Sequence, residues 1–392
     1  MSQYIDAAAF HRALLQGARR VEGKREELNR INAFPVPDRD TGNNLAYLMA
    51  QLRARLAVTP DIGELLTGLG EASLLGARGN SGAIFSQYFE GFRAAAIQVG
   101  AHLQLRADDL ARLFRQGYTS AYQAIQQPRE GTVLSAMASF ADGFEHLLGQ
   151  LDDWRAAADS ALTLLKDTVM DTVNTLPQQR ALGAPDAGAM GFLYFAEGFV
   201  RSLLGQTEEA DAGDALPALY TLAESTHAPD GELTYRFCTE AVVRLPHQMG
   251  LPDALRQALE TMGDSMVLSQ AGHLVRVHLH TNEPAKAIDL LAGQGALMET
   301  KADDMHMQRA LTRQYPGKTA LVVDSIADVP QELLGEHAYV LPLTMLADGV
   351  SYQDRRTISP ERVKALSGYL SSSQLNLAEV KQFLDPILHS YD

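Results

Sequence analysis

The chain has 392 residues, of which 46% are hydrophobic and 21% charged, so it can form two or three ordinary domain cores. Its formal net charge of -15 disfavours binding to nucleic acid and to anionic membrane surfaces. The single cysteine, Cys238, excludes an intrachain disulfide and predicts a reducing, cytoplasmic location. No segment has the roughly 18 consecutive apolar residues of a membrane-spanning helix, so we expect no direct membrane insertion.

Residues 1–205 carry the apolar periodicity of one helix after another, and about eight helices are predicted. The breaks between these helices are rich in glycine and proline. Their sequences are PVPDRDTG, GARGNSG, QPREGT and GAPDAGAMG. The least ordinary residues lie in these breaks, so we expect a functional site where the breaks meet at one end of the helical domain.

The first break brings two carboxylates to a helix start. Asp38 and Asp40 follow two prolines that stiffen the loop, and they face the positive end of the helix dipole. Two carboxylates this close repel each other unless a cation lies between them. Mg²⁺ typically takes one or two carboxylates together with substrate phosphates. The alternative is an acidic turn in which Asp40 caps the next helix, and the spacing alone leaves both interpretations open.

The second break, GARGNSG, is rich in glycine and leads into an apolar helix. Glycine lets the backbone approach a ligand closely, and the N–H groups of a helix start bind phosphate oxygens. An interhelical turn capped by Asn80 or Ser81 would explain the same residues. The helix starts at Thr132 and at Asp186 are weaker signals of the same kind, since small residues there are more typical of packing and capping.

In this order, NAFPVPDRDTGNN, GARGNSGAIFSQ, EGT and DAGAMG closely resemble the nucleotide-binding domain of bacterial fatty acid kinase, which is related to the L subunit of dihydroxyacetone kinase. The resemblance covers residues 1–205 and implies an all-α antiparallel eight-helix barrel with ATP or ADP and two Mg²⁺ ions at one end. It implies catalytic Mg²⁺ ligands at Asp38 and Asp40, with Asn32 as a third ligand. The family's glycine between the two aspartates is Arg39 here, which either disturbs the turn or reaches a phosphate. The nucleotide-binding positions that it implies are Asn43, Asn44, Gly79, Asn80, Ser81, Gly82, Thr132, Asp186 and Gly188.

The pattern changes after residue 205. Residues 206–217 are acidic and small, which predicts a linker, and residues 218–313 predict a small α/β domain. The segments TYRFCTEAVVRL and SMVLSQAGHLVRVHLHT have strand periodicity. The second segment predicts a hairpin that turns near Ala271 and Gly272.

The predicted strands carry a candidate zinc site. His278 and His280 are two residues apart on a strand, so their side chains share a face. Together with Cys238 they form a ligand set that suits Zn²⁺. The alternative is a buried free cysteine beside two half-exposed histidines. The segments YRFCTE and VHLHTN also resemble the central domain of fatty acid kinase, which favours zinc, and Glu240 is a further candidate ligand because it shares the strand face of Cys238.

From Lys318 onward the chain resembles the start of DegV-like fatty-acid-binding proteins, through ALVVDSIADVP, VLPLTMLADGVSYQD, ISPERV and SSQ. The resemblance implies a partial α/β domain over residues 318–392 in which hydroxyls contact a lipid carboxylate. The implied hydroxyls belong to Ser325, Ser372 and Ser373. A core of about 75 residues is short for this fold. We therefore expect the sequence to stop inside a larger domain and, by itself, to bind fatty acid weakly, because most lipid affinity comes from a long apolar tunnel.

Together these resemblances imply a cytoplasmic kinase that phosphorylates the carboxylate of a fatty acid presented by a DegV-like domain, in cis or in trans. The product would be an acyl phosphate, and no general base is required because a carboxylate is already ionised at pH 7. No nucleic-acid partner is expected, and a homodimer is left open. Two alternatives remain: phosphorylation of a small hydroxylated substrate such as dihydroxyacetone, and a non-catalytic nucleotide- and zinc-binding scaffold in which Arg39 marks lost activity.

Overall fold

The computed structural model describes most of the chain. Asp38, Arg39 and residues 207–217 of the predicted linker lie outside the described residues. By their contacts the residues divide into two compact units, one of 1–231 with 267–271 and the other of 232–266 with 272–392. The described residues are 4–33, 40–99, 104–151, 153–206, 233–247, 250–311, 313–327, 329, 337–347, 349–365, 370–373 and 377–391.

The described part of the first unit is formed almost entirely by helices, as the apolar periodicity predicts. The helices are α1 (Ala7–Gly23), α2 (Arg25–Arg30), α3 (Thr41–Arg55), α4 (Ile62–Gly76), α5 (Gly79–Val99), α6 (Ala107–Gln123), α7 (Val133–Leu148), α8 (Trp154–Thr175), α9 (Pro177–Leu182) and α10 (Ala187–Leu203). Two short strands, β1 (Ile5–Asp6) and β2 (Gln104–Leu105), pair with each other. None of the described helices has both the length and the apolar character needed to cross a membrane.

The long helices of this unit pack in a closed ring. In the order α1, α3, α4, α5, α6, α7 and α8, each helix packs against the next, and α10 packs against both α8 and α1. Every residue of α10 from Ala187 to Val200 is buried, which explains why this stretch is apolar on all sides apart from Glu197, whose carboxylate pairs with Arg20. A Cβ at Gly198 would lie 2.9 Å from the Cα of Gly17, so these glycines let α1 and α10 approach closely. The ring confirms the all-helical fold class predicted for this region.

The second unit begins with an antiparallel sheet and its helices, except that residues 267–271 of one strand are grouped with the first unit. These are β3 (Phe237–Arg244), α11 (Asp253–Met262), β4 (Gly263–Ala271), β5 (Leu274–Thr281), α12 (Pro284–Ala292), β6 (Ala296–Asp304) and α13 (Met305–Ala310). The strand order is β4-β5-β3-β6, and β3 is antiparallel to both β5 and β6. The turn between β4 and β5 contains Gly272, whose φ is +57°, in agreement with the predicted hairpin.

The remainder of the second unit is a further set of short elements. These are β7 (Leu321–Asp324), a 3₁₀ turn (Ser325–Ala327), β8 (Ala338–Leu341), β9 (Thr344–Ala347), β10 (Val350–Gln353), α14 (Pro360–Ala365), β11 (Leu370–Ser373) and α15 (Leu377–Ser390). β7 and β8 are parallel, whereas β10, β9 and β11 form an antiparallel sheet in that order. This part contacts the preceding sheet through β6, where the Thr300 hydroxyl donates a hydrogen bond of 2.8 Å to the Ser351 carbonyl. The α/β character predicted from the sequence is confirmed.

Candidate functional sites

Four helix starts gather at one end of the helical ring. The start of α5 lies against the first turn of α3, since a Cβ on Gly79 would collide with the side chain of Asn44. The start of α10 lies against that of α7, since a Cβ on Gly188 would come 3.2 Å from the Cβ of Val133. α10 also packs against α3 close to these starts, since a Cβ on Gly191 would collide with the side chain of Leu45, and this brings the two pairs together. The positive ends of several helix dipoles therefore face a common region, which favours an anionic ligand such as phosphate.

The side chain of Asn32, and not that of Asp40, caps α3. Asn32 is 5% exposed, and its Oδ1 accepts hydrogen bonds from the backbone N–H of Thr41, at 3.1 Å, and from the Thr41 hydroxyl. Asp40 occupies the residue before the helix, but its side chain makes no capping hydrogen bond. The alternative that explained Asp40 as a helix cap is therefore wrong. The predicted role of Asp40, Asn32 and Asp38 as Mg²⁺ ligands stays a prediction, and Asp38 lies outside the described residues.

Asn43 has a structural partner on the preceding helix. Its backbone N–H donates to Oδ1 of Asn29 at 3.0 Å, and Nδ2 of Asn29 donates back to Oδ1 of Asn43 at 3.1 Å. This reciprocal pair fixes α2 against α3. The carboxamide oxygen of Asn43 is thus already engaged, whereas its neighbour Asn44 lies against the start of α5.

The helix α5 begins at Gly79, before either of the two polar residues that the sequence offered as caps. Gly79 is the first residue of the helix and has a φ of +60°, and the N–H of Gly82 bonds to the Arg78 carbonyl at 3.1 Å. Asn80 and Ser81 therefore lie within the first turn, and the alternative in which one of them caps the helix is wrong. Their half-buried side chains stand beside the first-turn N–H groups, the position expected for residues around a phosphate.

Thr132 is a helix cap in this structure. Its hydroxyl accepts a hydrogen bond from the N–H of Leu134 at 3.4 Å and donates to the carbonyl of Arg129 at 2.7 Å. It therefore stabilises the start of α7 whether or not it also lines a nucleotide site.

The buried carboxylate of Asp186 joins the starts of α10 and α7. It is 4% exposed and accepts a hydrogen bond of 2.8 Å from the N–H of Ala189. The backbone N–H groups of Val133 and Gly188 also donate to it. Burial outweighs these three hydrogen bonds and raises the pKa of Asp186 to about 6. The ionised form is thus held at a cost in free energy that a nearby cation would reduce.

Replacing Asp186 with asparagine is expected to stabilise the ligand-free protein at pH 7 by about 1–3 kcal/mol, at about 1.4 kcal/mol per unit of pKa shift. The folded pKa, about 6, lies above the ordinary value of 3.8, so this group favours folding most at low pH. That contribution is lost as the pH rises through 6. The gain from Asp186→Asn should therefore be largely lost near pH 4, where the carboxyl is protonated in the folded state and about half protonated in the unfolded state.

Urea unfolding at pH 4 and pH 7 measures this difference. Asp153→Asn is the matched control, because Asp153 caps α8 through the N–H of Arg155 but its side chain is 61% exposed. The control should change the free energy of unfolding by less than about 0.5 kcal/mol at either pH. Equal effects of the two substitutions would contradict the role assigned to burial.

Three potential metal ligands converge on one face of the sheet in the second unit. In the register of β3 and β5, Cys238 lies opposite His280 and Glu240 lies opposite His278, so all four side chains share a face. Ligand atoms of Cys238, His278 and His280 lie within 4.8 Å of one another, and Cys238 Sγ is 3.7 Å from His278 Nδ1. Metal–ligand bonds of about 2.0–2.3 Å put the sulfur and nitrogen ligands of a tetrahedral ion about 3.6 Å apart. The three side chains therefore fit one such ion with small adjustments.

Glu240 lies beside this cluster and not within it. Its Oε1 is 3.2 Å from His278 Nδ1, and its Oε2 accepts a hydrogen bond of 3.2 Å from Arg276. Burial opposes ionisation of Glu240, but the hydrogen bond with His278 and the charge of Arg276 outweigh it and lower its pKa to about 2. Both oxygens are engaged in the metal-free structure, and the role of Glu240 as a further metal ligand stays a prediction.

Sequence reasoning missed two charged residues of this face. Arg276, which is 1% exposed, also donates to Glu299 at 3.1 Å. Asp264 lies with its Oδ1 3.4 Å from His280 Nδ1, and the hydrogen bond with His280 lowers the pKa of Asp264. The sequence did contain a signal for Arg276, because it lies two residues before His278 on the same strand and so shares a face with both histidines. Asp264 comes from β4, and no local pattern connects it to them.

The serines predicted for lipid binding lie in the last part of the chain. Ser325 is buried after β7, and its Oγ accepts a hydrogen bond of 3.1 Å from the N–H of Leu343. Ser372 and Ser373 lie on β11 and pair with the first two residues of β9, which begins at Thr344. All three serine positions therefore lie beside residues 343–345. The side chains of Ser372 and Ser373 lie outside what the structure describes.

Three protein-family models match the chain in sequence. The DAK2 domain matches residues 35–201, the middle domain of FakA-like fatty acid kinases matches residues 234–312, and the DegV family matches residues 318–392.

Curated relatives align with this chain over most of its length. Protein YloV of Bacillus subtilis is 30% identical over 327 residues, which cover 81% of this chain and 58% of that protein. An uncharacterised protein of Staphylococcus saprophyticus is 29% identical over 334 residues, which cover 82% of this chain and 59% of that protein. An uncharacterised protein of Staphylococcus haemolyticus is 30% identical over 319 residues, 79% of this chain and 56% of that protein. The chain therefore spans less than three fifths of the length of these relatives.

Proposed function

Because this chain carries a DAK2 domain, a FakA-like fatty acid kinase middle domain and a DegV domain in that order, we propose that it is an ATP-dependent phosphotransferase of the fatty acid kinase type. Its substrate is the carboxylate of a fatty acid presented by a DegV-like domain, in cis or in trans. Its product is an acyl phosphate.

The observation that most supports this proposal is the meeting of four helix starts at one end of the ring. Such starts offer unpaired N–H groups and the positive end of a dipole to phosphate oxygens. The turn from Gly79 to Gly82 holds the phosphates, while Thr132 and Asp186 line the other side of the nucleotide. Asp38 and Asp40, with Asn32, hold two Mg²⁺ ions, which neutralise phosphate charge. That Asn32 already caps α3 supports a role for Asp40 other than capping.

The chemistry requires positioning and charge more than proton transfer. An oxygen of the fatty acid carboxylate forms a bond to the γ-phosphorus as the bond from that phosphorus to the β,γ-bridging oxygen breaks. The electron pair leaves with ADP. Since the acceptor carries no proton at pH 7, no general base takes part. Fixed backbone donors at the helix starts stabilise the charge that develops on the phosphoryl oxygens.

The second unit holds a zinc ion through Cys238, His278 and His280 in this proposal. Their ligand atoms are close enough for one ion, and thiolate with imidazole is a ligand set that zinc prefers. When bound, such an ion would be held by residues of β3 and β5 and would stabilise their pairing. Elemental analysis of protein purified without added metal should find about one zinc per chain.

The activity is tested by incubating the chain with Mg²⁺, ATP, a long-chain fatty acid and a DegV-family carrier, and trapping acyl phosphate as its hydroxamate. We expect ADP release and hydroxamate in equal amounts, both dependent on the fatty acid. ADP release with dihydroxyacetone and not with fatty acid would favour the small-substrate alternative. Nucleotide binding without turnover on either substrate would favour the scaffold.

A further inference from the structure

One strand segment from the second half of the sequence packs onto the helical unit. Residues 267–271 lie within the match to the FakA-like middle domain and outside the DAK2 match, yet their contacts group them with the helical unit. Val267, Ser269 and Ala271 alternate along this segment and so share a face, and they are 2%, 0% and 2% exposed. The whole of that face is therefore covered.

The edge of the segment pairs with the chain that follows α6. The N–H of Leu268 donates a hydrogen bond of 3.3 Å to the carbonyl of Ala124, and Val267 forms an antiparallel β-bridge with Ile125. Since β4 is an edge strand of its sheet, this pairing covers backbone groups that could otherwise pair with another chain. Covering an edge is the ordinary explanation of such a contact.

The face of the segment contacts α5 directly after the glycine-rich turn. The Ser269 hydroxyl donates a long hydrogen bond, of 3.4 Å, to the carbonyl of Ala83. Ala83, Ala124 and Val267 also form one buried cluster. Ala83 follows Gly82, the last residue of the turn that is proposed to hold phosphate. Covering a strand edge does not require a contact at this place.

The glycine-rich turn has few side chains that could hold it in position. Gly79 and Gly82 have none, and those of Asn80 and Ser81 are only half-buried. Ala83, which is 1% exposed, is the first fully buried side chain after the turn. The position of the N–H groups in the turn therefore depends on what packs against Ala83. A misplacement of about 1 Å is enough to weaken a site of this kind strongly.

We propose that residues 267–271 are a fixed part of the nucleotide site, and that Ser269 is a positioning residue that holds the first turn of α5 where it can bind phosphate. This inference rests on the ATP site of the proposed function, but not on the fatty acid substrate.

The test is ATP binding with Mg²⁺ by Ser269→Val in the full chain. The added methyl groups have no free space, because Ser269 is fully buried against the backbone of α5, so the segment or the turn must move. Isothermal titration should show that the affinity for ATP falls about tenfold or more. Ser269→Ala adds no atoms and loses only a long hydrogen bond, so its affinity should stay within about threefold of the wild type.

Ser390→Val is the matched control. Ser390 is 1% exposed, and its hydroxyl donates a hydrogen bond of 2.6 Å to the carbonyl of Leu311, with both residues in the second unit. This variant should lower the melting temperature, as Ser269→Val does, because both overpack a buried serine position. Its affinity for ATP should stay within about twofold of the wild type, since it does not contact the helical unit.

Hydrogen exchange in the wild type gives a second measurement, which decides the question if Ser269→Val does not fold. ATP with Mg²⁺ should slow exchange of the Leu268 amide about fivefold or more, because binding and the position of the segment are coupled. The Leu321 amide, which bonds to the carbonyl of His337 in the second unit, should change much less.

Equal ATP affinities for the folded Ser269→Val and Ser390→Val variants, or equal slowing at the two amides, would mean that the segment only covers a strand edge. Either result would overturn the inference and leave the nucleotide site standing. A wild-type chain that binds no ATP with Mg²⁺ would refute both the proposed site and the inference.

Discussion

Replacing Asp40 with alanine is expected to abolish Mg²⁺-dependent ATP binding while leaving the helical unit folded. Removing one partner of a desolvated charge pair typically costs about 3 kcal/mol or more, which corresponds to at least a hundredfold loss of affinity. The fold should tolerate the change because the Asp40 side chain makes no capping bond and Asn32 caps α3 instead. Isothermal titration with ATP and Mg²⁺ measures the affinity, and thermal melting measures the stability.

Asp61→Ala is the matched control for this substitution. Asp61 precedes α4, and its side chain caps that helix by accepting a hydrogen bond of 2.9 Å from the N–H of Glu64. The control should lower the free energy of unfolding by about 1 kcal/mol and leave ATP affinity unchanged. The account would be wrong if Asp40→Ala lowered stability and kept nucleotide affinity, which is the behaviour of a simple cap.

Replacing Gly79 with alanine should cost about 2–4 kcal/mol of folding free energy and also remove nucleotide binding. A residue with a side chain pays about 1 kcal/mol or more for a positive φ, and Gly79 has a φ of +60°. The added Cβ would also collide with the Asn44 side chain, and such overpacking typically costs about 1–3 kcal/mol more. Relief of the collision would push the start of α5 away from α3, so the phosphate-binding turn would be misplaced.

Gly205→Ala separates these two contributions. Gly205 also has a positive φ, of +73°, but a Cβ there would meet nothing within 4 Å. This variant should lose only the conformational part, about 1 kcal/mol, and should bind ATP like the wild type. Urea unfolding of both variants gives the comparison, and equal losses would show that the contact with Asn44 has no energetic importance.

Apolar periodicity was sufficient to predict the long helices, because each exposes one face to solvent or, like α10, is apolar over most of its length. It did not predict α2 and α9, which have six residues each. Such helices are too short to show a repeat of 3.6 residues, and their positions depend on contacts such as the pair between Asn29 and Asn43. The closure of the ring also depends on contacts between distant segments, so the sequence suggested it only through resemblance.

The cap of α3 shows where local reasoning about the site failed. Sequence rules place the capping side chain directly before the helix, so Asp40 was the candidate cap that the sequence offered. The structure uses Asn32, nine residues before Thr41. A contact over that separation in sequence is a tertiary feature that no local pattern encodes.

Strand alternation, in contrast, predicted the shared face of His278 and His280 correctly. It could not say which of the side chains on that face contact each other, since this depends on the register of β3 against β5 and β6. That register brings Arg276 to Glu240, a contact that the alternation pattern alone did not indicate.

Mg²⁺-dependent nucleotide binding by the helical unit is tested most directly by titrating ATP into the full chain with Mg²⁺ and again with EDTA in its place. We expect one ATP to bind per chain with Mg²⁺, and the affinity to fall at least tenfold in EDTA, because carboxylates at the phosphate site repel ATP when no cation lies between them. Saturable binding of equal strength in EDTA, or no binding under either condition, would contradict the assignment of this end of the ring as a magnesium–nucleotide site.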